Sequence, residues 1–180
     1  MKLMIASDIH GSATYCKQLI SAFHNEQPDR LLLLGDLLYH GPRNDLPLGY
    51  APKTVIEELN ALSDRILCVR GNCEAEVDQM VLDFPVLADY AWLHVNGLNI
   101  FATHGHHFGK DNPPRLRDKD ILLCGHTHVP TFEKMTRGFY VNPGSASIPK
   151  EGSAHSYMIL EDRMFYWKTL EGSVYRTESV

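Results

Sequence analysis

Side chains that bind metal ions follow five separate apolar runs of this sequence. Each run is short and rich in Leu, Ile and Val, which is typical of a buried strand. The runs comprise residues 2–6, 30–34, 65–70, 98–103 and 120–124. The candidate ligands that follow them are Asp8, His10, Asp36, Asn72, His104, His126 and His128. Ligands of an open α/β sheet gather beyond the carboxyl ends of its strands, so the five strand ends predict one shared metal site.

The ligand types indicate the chemistry of this site. Asp and Asn supply oxygen and His supplies nitrogen, a set without thiolate that suits Mn, Fe, Zn or Mg better than a structural zinc. Asp8 and His10 are two positions apart, as are His126 and His128, so each pair points the same way on an extended segment. Seven ligands are one short of two four-coordinate sites, which fits if one carboxylate bridges. Two metals about 3.5–4 Å apart can clamp an in-line displacement at phosphorus, which predicts hydrolysis of a phosphate ester.

The elements that carry these strand ends differ between the two halves of the chain. In the first half, a helix with Ser12 as its N-cap has apolar residues at helical spacing from Cys16 to Phe23. A second helix buries Val55, Leu59 and Leu62, and a third is predicted over residues 74–83. This β-α-β-α-β order is typical of a parallel sheet.

The second half contains little predicted helix. Residues 90–95 and 98–103 form a predicted hairpin joined by Asn96 and Gly97, a strong two-residue turn signal. Further strands are predicted at residues 139–141, 156–160 and 164–170. We expect a second, largely antiparallel sheet packed on the first. We interpret the turn at residues 142–145 as scaffold.

Length and composition predict one cytoplasmic domain spanning residues 1–180. No apolar stretch approaches the roughly 20 residues that cross a bilayer, and no secretory leader is recognisable. The four cysteines lack disulfide or C-x-x-C spacing. A net charge of -5 offers no basic face, so we expect neither a specific nucleic acid partner nor a membrane partner.

The ordered motifs Asp-x-His, Gly-Asp, Gly-Asn-x-Glu, His and Gly-His-x-His resemble those of the calcineurin-like metallophosphoesterases. The resemblance runs from Asp8 to about Ser145, and the short chain with Cys in the third motif is similar to the small YfcE-type bacterial and archaeal phosphodiesterases. It implies an α/β fold (α+β in some schemes) with four αββα layers, in which two mixed sheets lie between helices.

The resemblance also implies a dinuclear metal centre, with Asp36 as the residue that bridges the ions. One metal would be held by Asp8, His10, Asp36 and His128. The other would be held by Asp36, Asn72, His104 and His126. We expect Mn²⁺ in both positions, and Zn²⁺, Fe²⁺, Mg²⁺ or Ni²⁺ as alternatives.

Cys73 departs from the pattern of the family, in which most members have His after Gly-Asn. That His donates a proton to the leaving group or grips the phosphate, whereas a thiol with an ordinary pKa of about 8.5 does so poorly. The candidate catalytic residues are Asn72, Cys73, His104 and His106. His107 is a further candidate acid, although a solvated loop is the commoner fate of paired His. A good leaving group would need no acid.

The leading hypothesis is a phosphodiesterase that cleaves a small phosphodiester with a hydroxide bridging two divalent metals. One alternative is a phosphomonoesterase or protein phosphatase with the same centre. Another is a non-catalytic interaction scaffold of the same fold, but such members lose ligands and here every ligand position is filled. We expect a homo-oligomer. Three residues follow the second strand: Tyr39, His40 and Arg43. We interpret them as an ordinary surface loop, and a wall of the substrate site is the alternative.

Overall fold

The five apolar runs form strands that lie in two different sheets. The computed structural model describes residues 1–180, with eleven strands and three α-helices. These are β1 (Leu3–Ala6), α1 (Ala13–Glu26), β2 (Arg30–Leu33), α2 (Pro52–Asn60), β3 (Ile66–Cys68), α3 (Glu76–Gln79), β4 (Tyr90–Val95), β5 (Leu98–Thr103), β6 (Ile121–Leu123), β7 (Thr131–Lys134), β8 (Phe139–Asn142), β9 (Ser156–Glu161), β10 (Met164–Thr169) and β11 (Val174–Ser179).

The first sheet has the strand order β11-β10-β9-β1-β2-β3. Strands β1, β2 and β3 are parallel, which confirms the arrangement predicted from the alternating strands and helices. Strand β9 pairs antiparallel with the free edge of β1, and β10 and β11 continue outward from it. The prediction that the late strands build a separate sheet is therefore wrong for β9 and β10.

The second sheet has the strand order β4-β5-β6-β8-β7. Strands β4 and β5 form the predicted hairpin, and Asn96 and Gly97 both have positive φ, 52° and 77°. Strands β5, β6 and β8 are parallel, so this sheet is mixed and not largely antiparallel. Each sheet thus mixes parallel and antiparallel pairs, as the resemblance implied.

The helices cover the outer face of the first sheet. The side chain of Ser12 caps α1 by accepting from the Tyr15 amide, as predicted. Helix α1 buries Cys16, Leu19 and Phe23 in the 22-residue cluster that it shares with α2 and the sheet. Helix α3 is only four residues long and not ten, and it begins after Glu74 because that residue turns inward to bind backbone amides.

The inner faces of the two sheets meet in a second cluster of 16 buried residues, which includes Ile5 and Leu34 from one sheet and Ile100 and Leu123 from the other. The outer face of the second sheet buries Phe101, and the segment between β5 and β6, which has no helix, covers it. The sandwich therefore has helices on one side and an irregular layer on the other. No helix is long and apolar enough to cross a membrane.

Candidate metal centre

The seven candidate ligands converge where the carboxyl-terminal ends of strands from both sheets meet. Ligand atoms of Asp8, His10 and His128 lie within 4.8 Å of one another, and so do those of Asp8, Asp36 and His104. Oδ2 of Asp36 lies 3.7 Å from Nε2 of His10 and 3.4 Å from Nε2 of His104. One carboxylate oxygen therefore faces both groups of ligands.

The second group is assembled around Nε2 of His104. This atom lies 3.1 Å from Oδ1 of Asn72 and 3.2 Å from Nδ1 of His126. Asn72 is exposed, whereas His104 is fully buried. The group is therefore open to solvent on the side of Asn72.

Backbone carbonyls fix the tautomers of three imidazoles. Nδ1 of His10 donates to the Tyr39 carbonyl at 2.8 Å. Nδ1 of His104 donates to Leu34, and Nδ1 of His128 donates to Ile148, both at 2.6 Å. In a neutral ring the other nitrogen then carries a lone pair, so Nε2 of each ring is available to a cation.

The donor set fits divalent metal ions. Nε2 of His10 and Nε2 of His128 are 3.3 Å apart, and Nε2 of His128 lies 3.3 Å from Oδ1 of Asp8. This Oδ1 atom is buried and has no hydrogen-bond partner. Lone pairs that face one another in a buried site repel unless a positive charge lies between them. The arrangement therefore requires a cation, either metal ions or protons on the rings.

The charges of these groups perturb one another strongly. Burial alone would raise the pKa of Asp8, but the adjacent rings of His10 and His128 outweigh it and hold that pKa well below its usual range. Burial would lower the pKa of His104, but the carboxylates of Asp36 and Asp8 raise it to about 9. Without metal the site therefore binds protons, for which metal ions must compete.

Five of the candidate ligands have left-handed backbone conformations. The φ angles are 59° at Asp8, 49° at His10, 58° at Asp36, 67° at His126 and 62° at His128. Residues with a Cβ atom rarely adopt this region, and each such residue costs about 1 kcal/mol or more. The surrounding structure must stabilise these conformations, and their concentration in one place is typical of a functional site.

The glycines of the motifs are required by close packing around the ligands. A Cβ atom on Gly71 would lie 2.2 Å from Oδ1 and 2.5 Å from the backbone nitrogen of Asp36. A Cβ atom on Gly125 would lie 2.0 Å from Oγ of Ser7 and 2.9 Å from Oδ2 of Asp8. The loops that carry Asn72 and His126 can approach the carboxylates only because these positions have no side chain.

Glu74 holds two of the ligand loops together, a role that sequence reasoning missed. Its buried carboxylate accepts from the amides of Asp36 at 2.8 Å, Leu37 at 2.7 Å and Gly71 at 2.5 Å. The loop after β2 is therefore fastened to the loop after β3. The sequence signal for this role was the Glu of the Gly-Asn-x-Glu motif. Its position three residues after Gly71 indicated only a contact within that loop.

The turn interpreted as scaffold supports Asp8 directly. The hydroxyls of Ser145 and Ser147 each donate to the Asp8 carbonyl at 2.9 Å. The side-chain amide of Asn142 donates to the carbonyl of Gly125 at 2.7 Å. The turn after β8 thus holds the loops of both sheets in register.

Comparison with known proteins identifies the family. The model of the calcineurin-like phosphoesterase superfamily domain matches residues 1–163. The chain belongs to this superfamily. Phosphodiesterase YfcE of Escherichia coli strain K12 is 48% identical over 162 residues, which cover 90% of this chain and 88% of YfcE.

Superposition on solved structures supports the same family membership. The structure of YfcE, characterised as a phosphoesterase from E. coli, superimposes on this calcineurin-like domain with a TM-score of 0.96 at 44% identity, covering 99% of both chains. Vps29 of Chaetomium thermophilum superimposes with a TM-score of 0.65 at 17% identity, covering 100% of this chain and 97% of Vps29. At that identity only the fold is shared.

Cys73 lies against the carboxylate that both ligand groups share. Its amide donates to Oδ1 of Asp36 at 2.9 Å, and its thiol donates to Oδ2 of Asp36 at 3.3 Å. Burial raises the pKa of the Cys73 thiol, and the negative charge of Asp36 raises it further. In the calcineurin-like domain this position therefore holds a neutral thiol and not a cation.

Two clefts adjoin the candidate centre and share His126 and Thr127. The first, about 400 Å³, contains His10, Asp36 and Cys73. Its other lining residues are Gly41, Pro42, Arg43, Asn44, Asn72, His128 and Lys150. Arg43 thus belongs to a wall of the first cleft, whereas Tyr39 and His40 do not line it.

The second cleft, about 600 Å³, contains His106 and His107. The ring centroid of His106 lies 6.3 Å from that of His126, and Nδ1 of His106 is buried without a partner. Burial lowers the pKa of His106 to about 4, and the charges of His104 and His107 contribute. His106 is therefore neutral at pH 7, and it lines the second cleft but not the first.

Proposed function

We propose that this protein is a metal-dependent phosphodiesterase that hydrolyses a small phosphodiester. The observation that carries the proposal is the shared oxygen of Asp36, which faces His10 on one side and His104 on the other. A carboxylate in that position can hold two cations close together. The 48% identity to phosphodiesterase YfcE supports a diester as the substrate class.

We propose that two divalent metal ions bind, most readily Mn²⁺. Asp8, His10, Asp36 and His128 would hold one ion, and Asp36, Asn72, His104 and His126 would hold the other. When bound, such ions lower the pKa of water and polarise the phosphoryl oxygens. The mixture of hard oxygen and borderline nitrogen donors supports Mn²⁺, with Zn²⁺, Fe²⁺, Mg²⁺ and Ni²⁺ as alternatives.

The residues of the chain orient the reaction and supply little acid catalysis. Hydroxide forms a new bond to phosphorus while the bond to the leaving oxygen breaks, so that oxygen departs with the electron pair. Cys73 keeps its proton and hydrogen-bonds to Asp36, and His106 is neutral. We therefore propose that good leaving groups depart unprotonated, and that His106 contacts a substituent of the substrate in the second cleft.

The same groups disfavour the alternatives. A phosphomonoester with a poor leaving group needs a proton donor, which Cys73 does not provide. A non-catalytic scaffold would not need seven converging ligands or the five left-handed backbone conformations that aim them.

The test is hydrolysis of a panel of p-nitrophenyl diesters and monoesters with Mn²⁺, Mg²⁺, Zn²⁺ or no added metal. We expect diester hydrolysis that requires metal and is lost in Asp36→Asn. Asp45→Asn is the matched control, because Asp45 is exposed and does not line the first cleft. Diester hydrolysis that survives complete chelation would contradict the proposal.

We also propose that the protein acts in the cytoplasm as a homo-oligomer. Four unpaired cysteines support a reducing compartment. Strand β4 is an edge strand on which Tyr90 and Trp92 are each 50% exposed, which supports pairing with β4 of a second copy. Light scattering of the wild type and of Trp92→Lys measures this directly; a wild-type monomer would rule out the oligomer.

A further inference from the structure

Two cationic side chains line the first cleft without a carboxylate partner. Arg43 and Lys150 are both exposed, and neither side chain forms an ion pair or a hydrogen bond within the protein. The only carboxylate that lines this cleft is Asp36, which belongs to the candidate metal centre. Arg43 and Lys150 thus form a cationic rim of a cleft whose lining contains no carboxylate other than Asp36, in a protein whose net charge is -5.

The turns that carry these cations are tied to metal-ligand candidates. The carbonyl of Tyr39, four residues before Arg43, accepts from Nδ1 of His10 at 2.8 Å. The amide of Lys150 donates to the carbonyl of His128 at 3.2 Å. Since Nε2 of His10 and Nε2 of His128 are 3.3 Å apart, both cationic turns flank the same side of the centre.

The charge of this rim exceeds what a simple diester requires. Two divalent ions with the carboxylates of Asp8 and Asp36 and the attacking hydroxide leave a net charge of about +1, which already balances the single negative charge of a diester. Arg43 and Lys150 add two further positive charges beside the side of the centre that holds His10 and His128. Arg and Lys on the wall of a cleft are the groups that bind phosphate in proteins.

We propose that the substrate is a phosphodiester that carries a second phosphate group, which Arg43 and Lys150 bind while the diester lies at the metal centre. This inference rests on the proposed phosphodiesterase function and specifies its substrate class. The second phosphate is a substituent of one ester group, such as a phosphorylated sugar hydroxyl. A diester without the second phosphate is hydrolysed at the metal centre but lacks the contacts with Arg43 and Lys150.

The experiment compares two substrates that differ only by that group: thymidine 5′-(p-nitrophenyl phosphate) with and without a 3′-phosphate. We expect the wild type to favour the 3′-phosphorylated diester by about tenfold or more in kcat/KM, mainly through KM, because each charge-assisted contact adds ground-state binding. Arg43→Gln and Lys150→Gln should each remove several-fold of that preference, and the double variant should abolish it. Arg43→Lys should retain part of it.

Matched controls and a binding measurement complete the design. Lys17→Gln and Arg115→Gln remove exposed cations that do not line the first cleft and should leave the preference unchanged. By calorimetry, thymidine 3′,5′-bisphosphate should bind the wild type more tightly than thymidine 5′-monophosphate, and the double variant should bind both alike. The binding advantage should shrink as salt increases.

The outcomes separate the two proposals. If p-nitrophenyl diesters are hydrolysed with metal but the wild type has no preference between the substrates, the second-phosphate proposal is wrong and the phosphodiesterase proposal stands. If the variants lose the same factor on both substrates, Arg43 and Lys150 contact the scissile phosphate, which also overturns it. If no diester is hydrolysed with any metal, the phosphodiesterase proposal itself fails.

Discussion

Replacing Glu74 by Gln should destabilise the protein and weaken its metal centre, although Gln has nearly the same shape. The Glu74 carboxylate accepts two amide protons at Oε2, from Asp36 and Gly71, and one at Oε1, from Leu37. A Gln amide has only one acceptor oxygen. If that oxygen keeps the two bonds at the Oε2 position, the NH₂ group faces the amide of Leu37, so that a donor meets a donor.

The expected loss of stability follows from these contacts. One buried amide left without an acceptor costs about 1–3 kcal/mol, and the two remaining bonds lose the strength that a charged acceptor gives them. We expect a total of about 2–4 kcal/mol. For a protein of 180 residues this corresponds to a fall in Tm of about 4–16 °C, at about 2–4 °C per kcal/mol.

The effect on metal binding should accompany the loss of stability, because Glu74 fixes the backbone of the candidate ligand Asp36 and the loop before Asn72. Replacing a group that orients metal ligands typically lowers metal affinity about 10–100-fold. Urea unfolding of the metal-free protein measures the first effect, and calorimetric titration with Mn²⁺ measures the second.

Glu76→Gln is the matched control for this experiment. Glu76 is two residues away, its side chain is 82% exposed, and it faces Arg70 at 4.0 Å, so its loss should change stability by less than about 1 kcal/mol. Equal stability and equal Mn²⁺ affinity of Glu74→Gln and Glu76→Gln would refute the role assigned to the three amide contacts.

Three further predictions follow from the site and the core. Protein reconstituted with Mn²⁺ should approach two equivalents of metal per chain, and Asp36→Asn should lower that number; a single equivalent with full retention in Asp36→Asn would exclude a bridged pair. Cys73→His should raise kcat/KM for diesters with high-pKa leaving groups more than for p-nitrophenyl diesters, and an equal leaving-group dependence in both variants would mean that the proton comes from another group. Burial alone would raise the pKa of Glu26, but Lys168 and Lys2 outweigh it and lower the pKa below its ordinary value of 4.5. That stabilisation is present above the unfolded pKa and is lost as the pH falls through the folded pKa, so Glu26→Gln should cost about 1 kcal/mol at pH 7 and nothing in strong acid, as urea unfolding at several pH values can measure.

Local signals predicted the elements that are decided by neighbouring residues. The hairpin of β4 and β5 depends on Asn96 and Gly97, whose positive φ angles produce the turn directly. Helix α1 depends on the Ser12 cap and on apolar residues at helical spacing, all within one segment. Both were predicted correctly because the chemistry that decides them lies within a few residues of chain.

Local sequence signals could not predict which strands pair with one another. Strand β9 pairs with β1, although the paired residues are more than 150 positions apart in the chain. The apolar pattern of Tyr157, Met158 and Ile159 suits either sheet equally. The third helix was predicted to start too early, because the local pattern carries no sign that Glu74 accepts hydrogen bonds from amides 37 and 38 residues away. These outcomes depend on contacts between distant segments.

The sequence by itself determined the kinds of ligand atoms, their order and their attachment to strand ends, because Asp, Asn and His each have fixed donor chemistry and buried strands have a recognisable apolar pattern. Only the tertiary structure decided that these strand ends belong to two sheets and meet at one point. It also decided that Ser145 and Ser147 hold the Asp8 backbone and that Arg43 and Lys150 flank one side of the centre. The physical reason is that these contacts join residues far apart in the chain, and their geometry exists only once both sheets have packed.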